Sequence, residues 1–338
     1  MIIIAMAELT KEQWQSFCRE HPAHSLLQDA EWGDVKSGFG WSPVYVGTGT
    51  AGAMVLFRSL PAGLKIGYIP RGPFGSGFEA LWPEIHRICR KNHAVFLRVE
   101  PDYTEGSEEA GLLKASMDGF SPSFATVQPP RTIMIPLDGS EDEWLARMNQ
   151  KTRYNIRLSM KKDLTVDENE DAKEFHDLMA VTGSRDSFGV HTEAYYRRCL
   201  DCFRENKKAR ILTVRWQGRP LSAIMLFIEG SRGYYLYGAS SNEERNRMPN
   251  YLVQWTAMKI CKEAGCRDYD LWGIPDEDEE TLEAQFMDRH DGLWQVYRFK
   301  RGFGGQVVRT MGSYDYVYSR LLYRGLRFAD AERRKRAA

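Results

Sequence analysis

The chain has 338 residues and a mass of 38.9 kDa, a length typical of two domains. Hydrophobic residues make up 43% and charged residues 27% of the sequence, which excludes a mainly disordered chain. Because 46 basic residues balance 46 acidic residues, the molecule as a whole does not attract polyanions. Binding of a nucleic acid or a phosphate would therefore depend on local basic patches.

The sequence also indicates where the chain works. Its longest clearly apolar run, at about 220–228, is far shorter than the ~20 residues that cross a bilayer. The N-terminal MIIIAMAE lacks the basic region of a secretory signal, and its apolar run is too short for one. Six cysteines are too few for a disulfide scaffold. Together these features predict a cytoplasmic protein.

Four of the cysteines form two closely spaced pairs. Cys199 and Cys202 make a C-x-x-C, and Cys261 and Cys266 lie five apart, so a four-cysteine zinc site is one interpretation. Both pairs fall in helix-like runs, where buried free thiols are common, and this second interpretation is favoured. The seven histidines are scattered without metal-ligand spacing. We therefore expect no metal.

The first predicted elements form a strand meander followed by a helix and a further strand. Strands begin at Val44, continue through AMVLFRSL and KIGYIP, and are separated by glycine-rich or polar turns. A helix is predicted over about 79–92, and strand AVFLRVEP follows it.

A second helix is predicted over 141–162, because Ser140 and Glu143 form a capping box. From 144 to 162 the sequence contains six basic residues and no acidic residue. A phosphate-binding face and an ordinary solvated face are equally compatible with that charge. The inner stripe of the helix is predicted to be Leu145, Met148, Thr152, Ile156 and Met160, and its basic face Arg153, Arg157 and Lys161.

The first order of elements then recurs about 170 residues later. Strands ILTVR, PLSAIMLFI and YYLYG precede a helix over about 251–264, which Gly265 ends, and strand DYDLWG. A repeated order of this kind predicts two α+β domains of one type. The order fits the acetyltransferase-like (GNAT) fold, which does not by itself fix a function.

The cofactor loop of that fold is missing from one predicted domain and doubtful in the other. GNAT enzymes bind the pyrophosphate of acetyl-CoA on a glycine-rich loop at a helix N-terminus. The second domain has SNEERNRMPNYL at this place, without glycine, and the first has RGPFGSGFEALW, interrupted by Pro73. The loops argue against acetyl-CoA, and we expect no cofactor. With no Ser-His-Asp or Cys-His arrangement, the chemistry favoured is attack on an already activated donor.

Several segments resemble the Fem family (FemABX), the aminoacyl-tRNA-dependent transferases of peptidoglycan bridge synthesis. The stretch NQKTRYNIRLSMKKDL resembles the family signature, and LLQDAEWGDVKSGFGW resembles its Q-x-x-x-W-x-x-x-K segment. In the second domain ARILTVRWQGRPLSAIMLF and GYYLYGASSNEERNRMPNYLVQW resemble the family's core, and GLWQVYRFKRGFGG resembles its F-K segment. These segments occur in the family's order and extend over most of the chain.

The resemblance implies two GNAT-like domains, the first completed by the C-terminal segment. We expect Tyr314, Tyr316, Tyr318 and Leu321 of that segment to pack on the first domain. We expect the first at 1–143 plus 304–338 and the second at 144–303. The interval between Lys162 and Ile211 is too short for the long coiled-coil arm of the staphylococcal members, so the compact FemX-like type is the closer match. The implied partners are aminoacyl-tRNA and a peptidoglycan precursor. We expect a monomer, with peripheral membrane contact if the acceptor is lipid-linked.

The resemblance also implies individual site residues. Lys36 and Arg210 correspond to the family's ligands for the acceptor's diphosphate, which suits a point cation and a guanidinium fork. Tyr251 corresponds to a tyrosine of the acceptor groove, and Tyr103 is a further candidate for that groove. Alternative roles are an exposed helix lysine for Lys36, a salt-bridged strand-edge arginine for Arg210 and core packing for Tyr251.

Lys300 corresponds to the lysine that stabilises the oxyanion of the transition state. We expect it on a strand whose aromatic residues bury its stem and leave the ammonium free to reach the groove. The implied reaction moves an amino acid from aminoacyl-tRNA to the stem-peptide amine of a precursor, UDP-linked or lipid-linked. Two alternatives remain at this point: an acyl-CoA-dependent N-acyltransferase acting on another amine, and a non-catalytic module that binds RNA or the precursor.

Overall fold

The computed structural model describes residues 7–186 and 188–337, so most of the N-terminal MIIIAMAE lies outside the described residues. The chain forms two compact units: Met1–Pro130 with Arg309–Ala338, and Arg131–Val308. These limits differ from the domain limits expected from the sequence, because strands on either side of the second unit pair into its sheet.

Both units contain strands and helices. The strands are β1 (Ala7–Leu9), β2 (Trp41–Gly47), β3 (Ala51–Ser59), β4 (Lys65–Pro70), β5 (Phe74–Gly75), β6 (Ala94–Glu100), β7 (Phe120–Pro122), β8 (Arg131–Pro136), β9 (Leu164–Asn169), β10 (Ala209–Trp216), β11 (Arg219–Glu229), β12 (Arg232–Ser240), β13 (Asp268–Gly273), β14 (Gln306–Arg309) and β15 (Tyr314–Val317). The helices are α1 (Lys11–Glu20), α2 (Ala30–Ser37), α3 (Trp82–Lys91), α4 (Glu108–Ser116), α5 (Glu141–Arg147), α6 (Gln150–Ser159), α7 (Ala172–Asp186), α8 (Glu193–Phe203), α9 (Pro249–Glu263), α10 (Glu279–Gln285), α11 (Trp294–Lys300) and α12 (Arg320–Ala337).

Each unit is built on one mixed sheet. The strand order is β1-β2-β3-β4-β6-β15-β7 in the first unit, with β5 paired to β3, and β14-β8-β13-β12-β11-β10-β9 in the second. In both sheets an antiparallel meander leads through one helix to a parallel strand: β2, β3, β4, α3 and β6 in one, β10, β11, β12, α9 and β13 in the other. The repeated order predicted from the sequence is therefore present.

A large apolar core holds the central helix of the second unit against its sheet. Pro249 occupies the first turn of α9, where its missing N–H is not needed. Most side chains of the helix are buried, so it is enclosed on most of its sides and is not a surface helix with one apolar stripe. The large buried side chains include Leu252, Trp255, Met258 and Cys261. Burying each large apolar side chain contributes about 1.5–3 kcal/mol.

The single helix predicted over 141–162 is two helices. The capping box at Ser140 begins α5 as expected, but Met148 is extended (φ −73°, ψ 155°). Asn149 then caps a new helix, because its side chain accepts a 2.7 Å hydrogen bond from the Thr152 N–H. The break turns the stripe, so Thr152 and Ile156 are buried whereas Met160 is 51% exposed.

The C-terminal segment completes the first unit by inserting β15 between β6 and β7. Buried Arg98 of β6 makes two 2.8 Å hydrogen bonds to the Asp315 carboxylate, which is also buried. Tyr314, Tyr316 and Tyr318 pack on the core of this unit as expected from the sequence. Leu321, expected to pack there as well, is instead 81% exposed.

Between β9 and β10, the described residues form α7 and α8 and no long coiled-coil arm. Among the described helices, none has the length and apolar character that crossing a bilayer requires.

Candidate active site

The second unit contains a split between two parallel strands. β12 and β13 pair only at Arg232 with Asp268, Gly233 with Tyr269, and Tyr234 with Asp270. β12 continues to Ser240 and β13 to Gly273, so beyond this point the two strands lack each other as partners. In the first unit the equivalent strands stay paired to Pro70 and Glu100, where both end. The split is therefore a feature of the second unit.

Local irregularities in the strands shape the split. The pairing of β11 with β12 shifts register between Met225 and Leu226, which is a β-bulge. Just beyond it the Tyr235 side chain crosses Gly238, where a Cβ atom would collide with the Tyr235 hydroxyl. On β13, Trp272 adopts a positive φ of 61°, which is strained for a residue other than glycine. Irregular backbone of this kind is concentrated at functional sites.

Lys300 lies in this split. Its Nζ donates hydrogen bonds to the carbonyl oxygens of Gly273 (2.8 Å) and Trp272 (3.1 Å), both on the part of β13 that β12 has left. The ammonium also lies 5.5 Å from the centre of the Tyr235 ring. Lys300 is 4% exposed, which contradicts the expectation of a free ammonium reaching a groove. The segment is helix α11 and not a strand, and its spacing of three places Lys300 on the same buried side as Trp294 and Tyr297.

Burial weakens the hold of Lys300 on its proton. Removal from water lowers its pKa from the ordinary 10.5 to about 7, against a smaller opposite effect of Asp270. Asp270 is itself buried and accepts hydrogen bonds from the Thr132 hydroxyl and, at 2.7 Å, from the Trp272 N–H. The site therefore contains a lysine that can change its charge near neutral pH.

A cavity of about 220 Å³ opens beside the split. β11 and β12, the end of α7, the start of α9 and one side of α11 supply its walls. Tyr235 and Phe299 contribute rings, and Asp186, Asn250 and Gln254 contribute polar groups. A second cavity of about 600 Å³ shares Asp186 and Phe188 with it and extends to Leu293. Lys300 does not line either cavity, but the preceding residue, Phe299, does. The two cavities suit an elongated ligand with polar groups.

The loop before α9 is held by side chains. Glu244 and Met248 adopt positive φ angles of 46° and 59° without being glycine. Arg247 donates a 2.9 Å hydrogen bond to the Lys162 carbonyl, and its guanidinium lies 3.9 Å from the Trp216 ring centre. Glycine lets a pyrophosphate approach backbone N–H groups closely, and residues 241–248 contain none.

Tyr251, predicted for the acceptor groove, packs in the aromatic cluster of the second unit. Its ring centre lies 5.2 Å from that of Phe299 and 5.9 Å from that of Phe303. The alternative role of core packing therefore describes its contacts, although Phe299 brings it next to the cavity wall.

Arg210 lies at the other end of α9 from Tyr251. Its guanidinium forms a 3.2 Å ion pair with Glu168 and donates to the Lys207 carbonyl at 2.9 Å, and its charge acts on the Cys261 thiol. Tyr251 and Cys261 are ten residues apart, or ~15 Å along a helix. The structure therefore does not bring Arg210 next to Tyr251.

Lys36 and Tyr103 belong to the first unit. Lys36 lies in the last turn of α2 with its Nζ 5.2 Å from the Trp32 ring centre, so it is more than an exposed helix lysine. The Tyr103 hydroxyl donates to the Gly75 carbonyl at 3.3 Å, and burial raises its pKa to about 12.

The three residues of the predicted basic face on α6 differ in exposure and in contacts. Arg157 and Lys161 are exposed, whereas Arg153 is half-buried and donates to the Met148 carbonyl at the end of α5. Arg153 thus satisfies a carbonyl that the helix break leaves without a helical partner.

Sequence reasoning missed the groups that surround Lys300. Asp270, Trp272 and Tyr235 have no motif, and Gly238 reads as an ordinary strand glycine. The one available signal was the string DYDLWG, in which a buried-strand pattern ends in Gly273. None of the six cysteines forms a disulfide bond, and all except Cys202 are buried.

Comparison with solved structures identifies the fold. The crystal structure of FemX superposes with a TM-score of 0.82 at 25% sequence identity, covering 96% of this chain and 100% of that one. A tandem GNAT protein from the clavulanic acid biosynthesis pathway superposes with a TM-score of 0.52 at 11% identity, covering 92% and 97%. The second likeness concerns the fold alone. Two GNAT-like units, the predicted α+β fold class, are thereby confirmed.

Sequence comparison identifies the family. The Lipid II:glycine glycyltransferase of Staphylococcus aureus (strain USA300) is 27% identical over 401 aligned positions, which cover 93% of each protein. The alignment is longer than this chain, so that relative carries insertions that the chain lacks. The sequence model of the FemAB family matches residues 9–219 and 214–331. The chain belongs to the FemAB family.

Proposed function

We propose that the chain is an aminoacyltransferase that moves an amino acid from aminoacyl-tRNA to an amine on the stem peptide of a peptidoglycan precursor. The product would be an interpeptide bridge or its first branch. Membership of the FemAB family and similarity to a glycyltransferase named for lipid II, across 93% of both proteins, support this. The observation that carries the proposal is Lys300, a buried lysine at a strand split beside two adjoining cavities.

The donor site of this proposal is the cavity pair of the second unit. An aminoacyl ester joined to the terminal ribose of a tRNA is elongated and polar, which suits cavities of about 220 and 600 Å³ that share Asp186 and Phe188. The ester carbonyl would lie at the split, near the end of the smaller cavity that Tyr235 and Phe299 form. A CoA donor fits the second unit less well, because the loop before α9 offers no glycine to a pyrophosphate.

The reaction is direct aminolysis of the ester. The acceptor amine attacks the ester carbonyl, the new C–N bond forms, and the bond between the carbonyl carbon and the ribose oxygen breaks. The amine loses one proton and the ribose oxygen gains one, so the donor itself can accept the proton. The Lys300 ammonium has three N–H groups, and two of them bind the carbonyls of Trp272 and Gly273. The third would bind the oxyanion of the tetrahedral intermediate.

For the acceptor, we propose that Lys36 and Arg210 each bind the diphosphate and that Tyr251 and Tyr103 contact the rest of the precursor. The cation of Lys36 is half-buried on Trp32, and the Arg210 guanidinium can exchange its exposed partner Glu168 for phosphate. Lys36→Ala and Arg210→Ala should each raise KM for the acceptor more than they lower kcat. Unchanged KM values in both variants would remove these two residues from the site.

For the tRNA, we propose a surface made of Arg157, Lys161 and the neighbouring Trp216. Two further arginines lie on the Trp216 ring and belong to the same surface. Arg247 and Arg219 lie 3.9 and 4.9 Å from the Trp216 ring centre. Arg247 also donates a hydrogen bond to the carbonyl of Lys162, which follows Lys161 in the chain. Basic side chains next to an aromatic ring are the usual composition of a single-stranded or looped RNA contact. Arg153 would contribute through its charge while it caps α5.

The proposed assignment is tested by the product. The protein is incubated with a mixture of aminoacyl-tRNAs and either the UDP-linked muropeptide or the lipid-linked precursor, and the mass of the precursor is measured. We expect an increase equal to one amino acid residue, abolished by ribonuclease treatment of the donor. A matched reaction with acetyl-CoA should leave the mass unchanged. An acetyl adduct, or no adduct with any aminoacyl-tRNA, would exclude the proposed donor.

We propose further that the chain works in the cytoplasm as a monomer without a metal, since both substrates are made there. Sedimentation at working concentration and activity after dialysis against EDTA test these two points. A dimer, or activity restored only by a divalent ion, would contradict them.

A further inference from the structure

The C-terminal helix α12 exposes an unusual set of apolar side chains. Leu321 is 81% exposed, Phe328 is 71% exposed and Leu322 is 40% exposed. Leu321 and Phe328 are seven residues apart, so they lie on one side of the helix two turns from each other. Large apolar groups exposed together on one helix face mark a surface that contacts something else.

The opposite side of the helix is already engaged with the first unit. The Tyr323 hydroxyl donates a 2.7 Å hydrogen bond to Asp315, and its ring contacts Phe96 and Phe124 edge-on at 5.3 and 5.5 Å. Leu326, three residues later, is half-buried. Because Tyr323 fixes the inner face, Leu321 and Phe328 must point outward.

The basic residues of the helix indicate which kind of partner its apolar face would bind. Exposed Arg320, Arg324 and Arg327 follow each other at spacings of four and three along one flank of the apolar face. In sequence the whole helix has seven basic residues against two acidic ones, in a chain whose net charge is zero. An amphipathic helix with leucine and phenylalanine beside arginine is typical of binding to the surface of an anionic bilayer.

We propose that α12 docks the protein on an anionic membrane surface, with Leu321 and Phe328 entering the headgroup boundary and the flanking arginines binding lipid phosphates. The helix would lie on the bilayer and not cross it. No residue of α12 lines the cavities of the second unit, and none is assigned to a substrate. It would bring the enzyme to the place where a lipid-linked acceptor resides.

Two other partners fit the observations less well. A second copy of the chain on the same face would bring Arg324 and Arg327 close to their own copies, where like charges repel. Binding of RNA would explain the arginines, but it would not explain why the apolar Leu321 side chain is 81% exposed.

The test measures partition of the full-length protein into vesicles, without any substrate, so its outcome does not depend on the proposed function. Vesicles of phosphatidylglycerol with phosphatidylcholine are compared with vesicles of phosphatidylcholine alone by co-sedimentation. We expect binding to the anionic vesicles that weakens as salt is raised. Equal binding to both kinds of vesicle, or binding to neither, would overturn the proposal.

Paired variants separate the two contributions. Leu321→Gln with Phe328→Gln should weaken binding to anionic vesicles by at least about tenfold, since both side chains lose their apolar burial. Arg324→Gln with Arg327→Gln should weaken it about tenfold and reduce its salt dependence. All four residues are exposed, so the fold should persist and the unfolding temperature should not change.

Matched controls use exposed residues elsewhere in the first unit. Leu112→Gln with Val127→Gln replaces side chains that are 57% and 56% exposed, and Arg19→Gln with Lys114→Gln removes two exposed charges. Neither control should alter vesicle binding. If the controls weaken binding as much as the α12 variants, or if the α12 variants change only tRNA affinity or only the oligomeric state, the helix does not dock on membranes.

Discussion

Lys300 is held where its charge is difficult to maintain. Carbonyl oxygens of Trp272 and Gly273 stabilise the ammonium, yet burial brings its pKa down to about 7. A donor in a dry, prearranged position is worth more to a developing oxyanion than one in water, because no solvent has to reorganise during the reaction. The proposed role of Lys300 is therefore to stabilise the transition state more than to bind the ester.

The first prediction concerns turnover by Lys300→Met. Methionine keeps much of the length of the stem and removes the charge, so folding should survive. We expect kcat to fall by about 10² to 10³ with little change in KM for either substrate, since the ammonium acts mainly on the transition state. Single-turnover rates with aminoacyl-tRNA and precursor measure this.

Lys262→Met provides the matched control for that prediction. Lys262 also donates to a backbone carbonyl, that of Leu137 at 2.8 Å, and it belongs to the same unit but lines neither cavity. Its replacement should leave kcat unaltered. Near-wild-type kcat in Lys300→Met would show that Lys300 is not the oxyanion donor.

A second prediction concerns the pH dependence of stability. The pKa of Lys300 is about 7 in the folded protein and near its ordinary 10.5 in the unfolded chain. Between these values the unfolded chain holds a proton that the folded protein lacks, so stability from this group should rise with pH, by up to about 1.4 kcal/mol per pH unit. Below pH 7 both states hold the proton and the contribution is constant.

Urea denaturation of the wild type and of Lys300→Met between pH 6 and 10 measures this effect. The difference in unfolding free energy should favour the variant most at low pH and shrink as pH rises. A difference that does not vary with pH would mean that Lys300 keeps its ordinary pKa.

At the residue scale, Lys300 could be predicted as a candidate from the sequence, but the groups that surround it could not. The lysine stands in a recognisable string, whereas the carbonyls that bind it come from 27 and 28 residues earlier in the chain. Their position depends on the positive φ of Trp272, which no composition or periodicity indicates. The contact of Arg153 could not be predicted either, because the Met148 carbonyl that it binds is left unpaired only by the break between α5 and α6.

At the scale of elements, patterns of burial and capping explain which predictions succeeded. The two meanders were predictable because apolar strands alternate with glycine and polar turns. α11 was predicted as a strand since aromatic residues dominate it, but Trp294, Tyr297 and Lys300 are buried at intervals of three, which is helical spacing. The break before α6 was missed because Asn149 is a helix cap inside what reads as a continuous stripe.

A third prediction concerns how β15 is held in the first unit. Asp315 accepts hydrogen bonds from Arg98, from the Ser123 hydroxyl at 2.9 Å and from the Tyr323 hydroxyl at 2.7 Å, and it is completely buried. Asp315→Leu would leave the Arg98 cation buried without its anion. We expect a loss of about 3–5 kcal/mol in the unfolding free energy of this unit.

The double variant Arg98→Met with Asp315→Leu is the control. It removes both charges together, so it should recover most of the loss, because apolar groups of similar volume often replace a buried ion pair at little cost. Denaturation curves of the three proteins decide the point. A loss below about 1 kcal/mol in Asp315→Leu would show that β15 is held by other interactions.

At the scale of the molecule, the repeated order of elements predicted two similar units, but not which of them contains the strand split of the candidate site. The two meanders read alike in sequence, and only the structure shows that β12 and β13 separate after three pairs whereas β4 and β6 stay together. The unit limits were also displaced, because β8 and β14 join the second sheet through pairings with distant strands. Such long-range pairings leave no local signal.

The last prediction follows from the neutral net charge. Since the molecule as a whole exerts no attraction on RNA, tRNA affinity should depend on a few local cations. Arg157→Glu with Lys161→Glu should weaken tRNA binding and lower the slope of log affinity against log salt by about one for each phosphate that is no longer neutralised. Lys173→Glu with Arg197→Glu reverses two exposed charges of the same unit, each already paired with an acid, and serves as the matched control. If both pairs of changes reduce the slope equally, tRNA is held by diffuse charge, and the face of α6 is only a solvated surface.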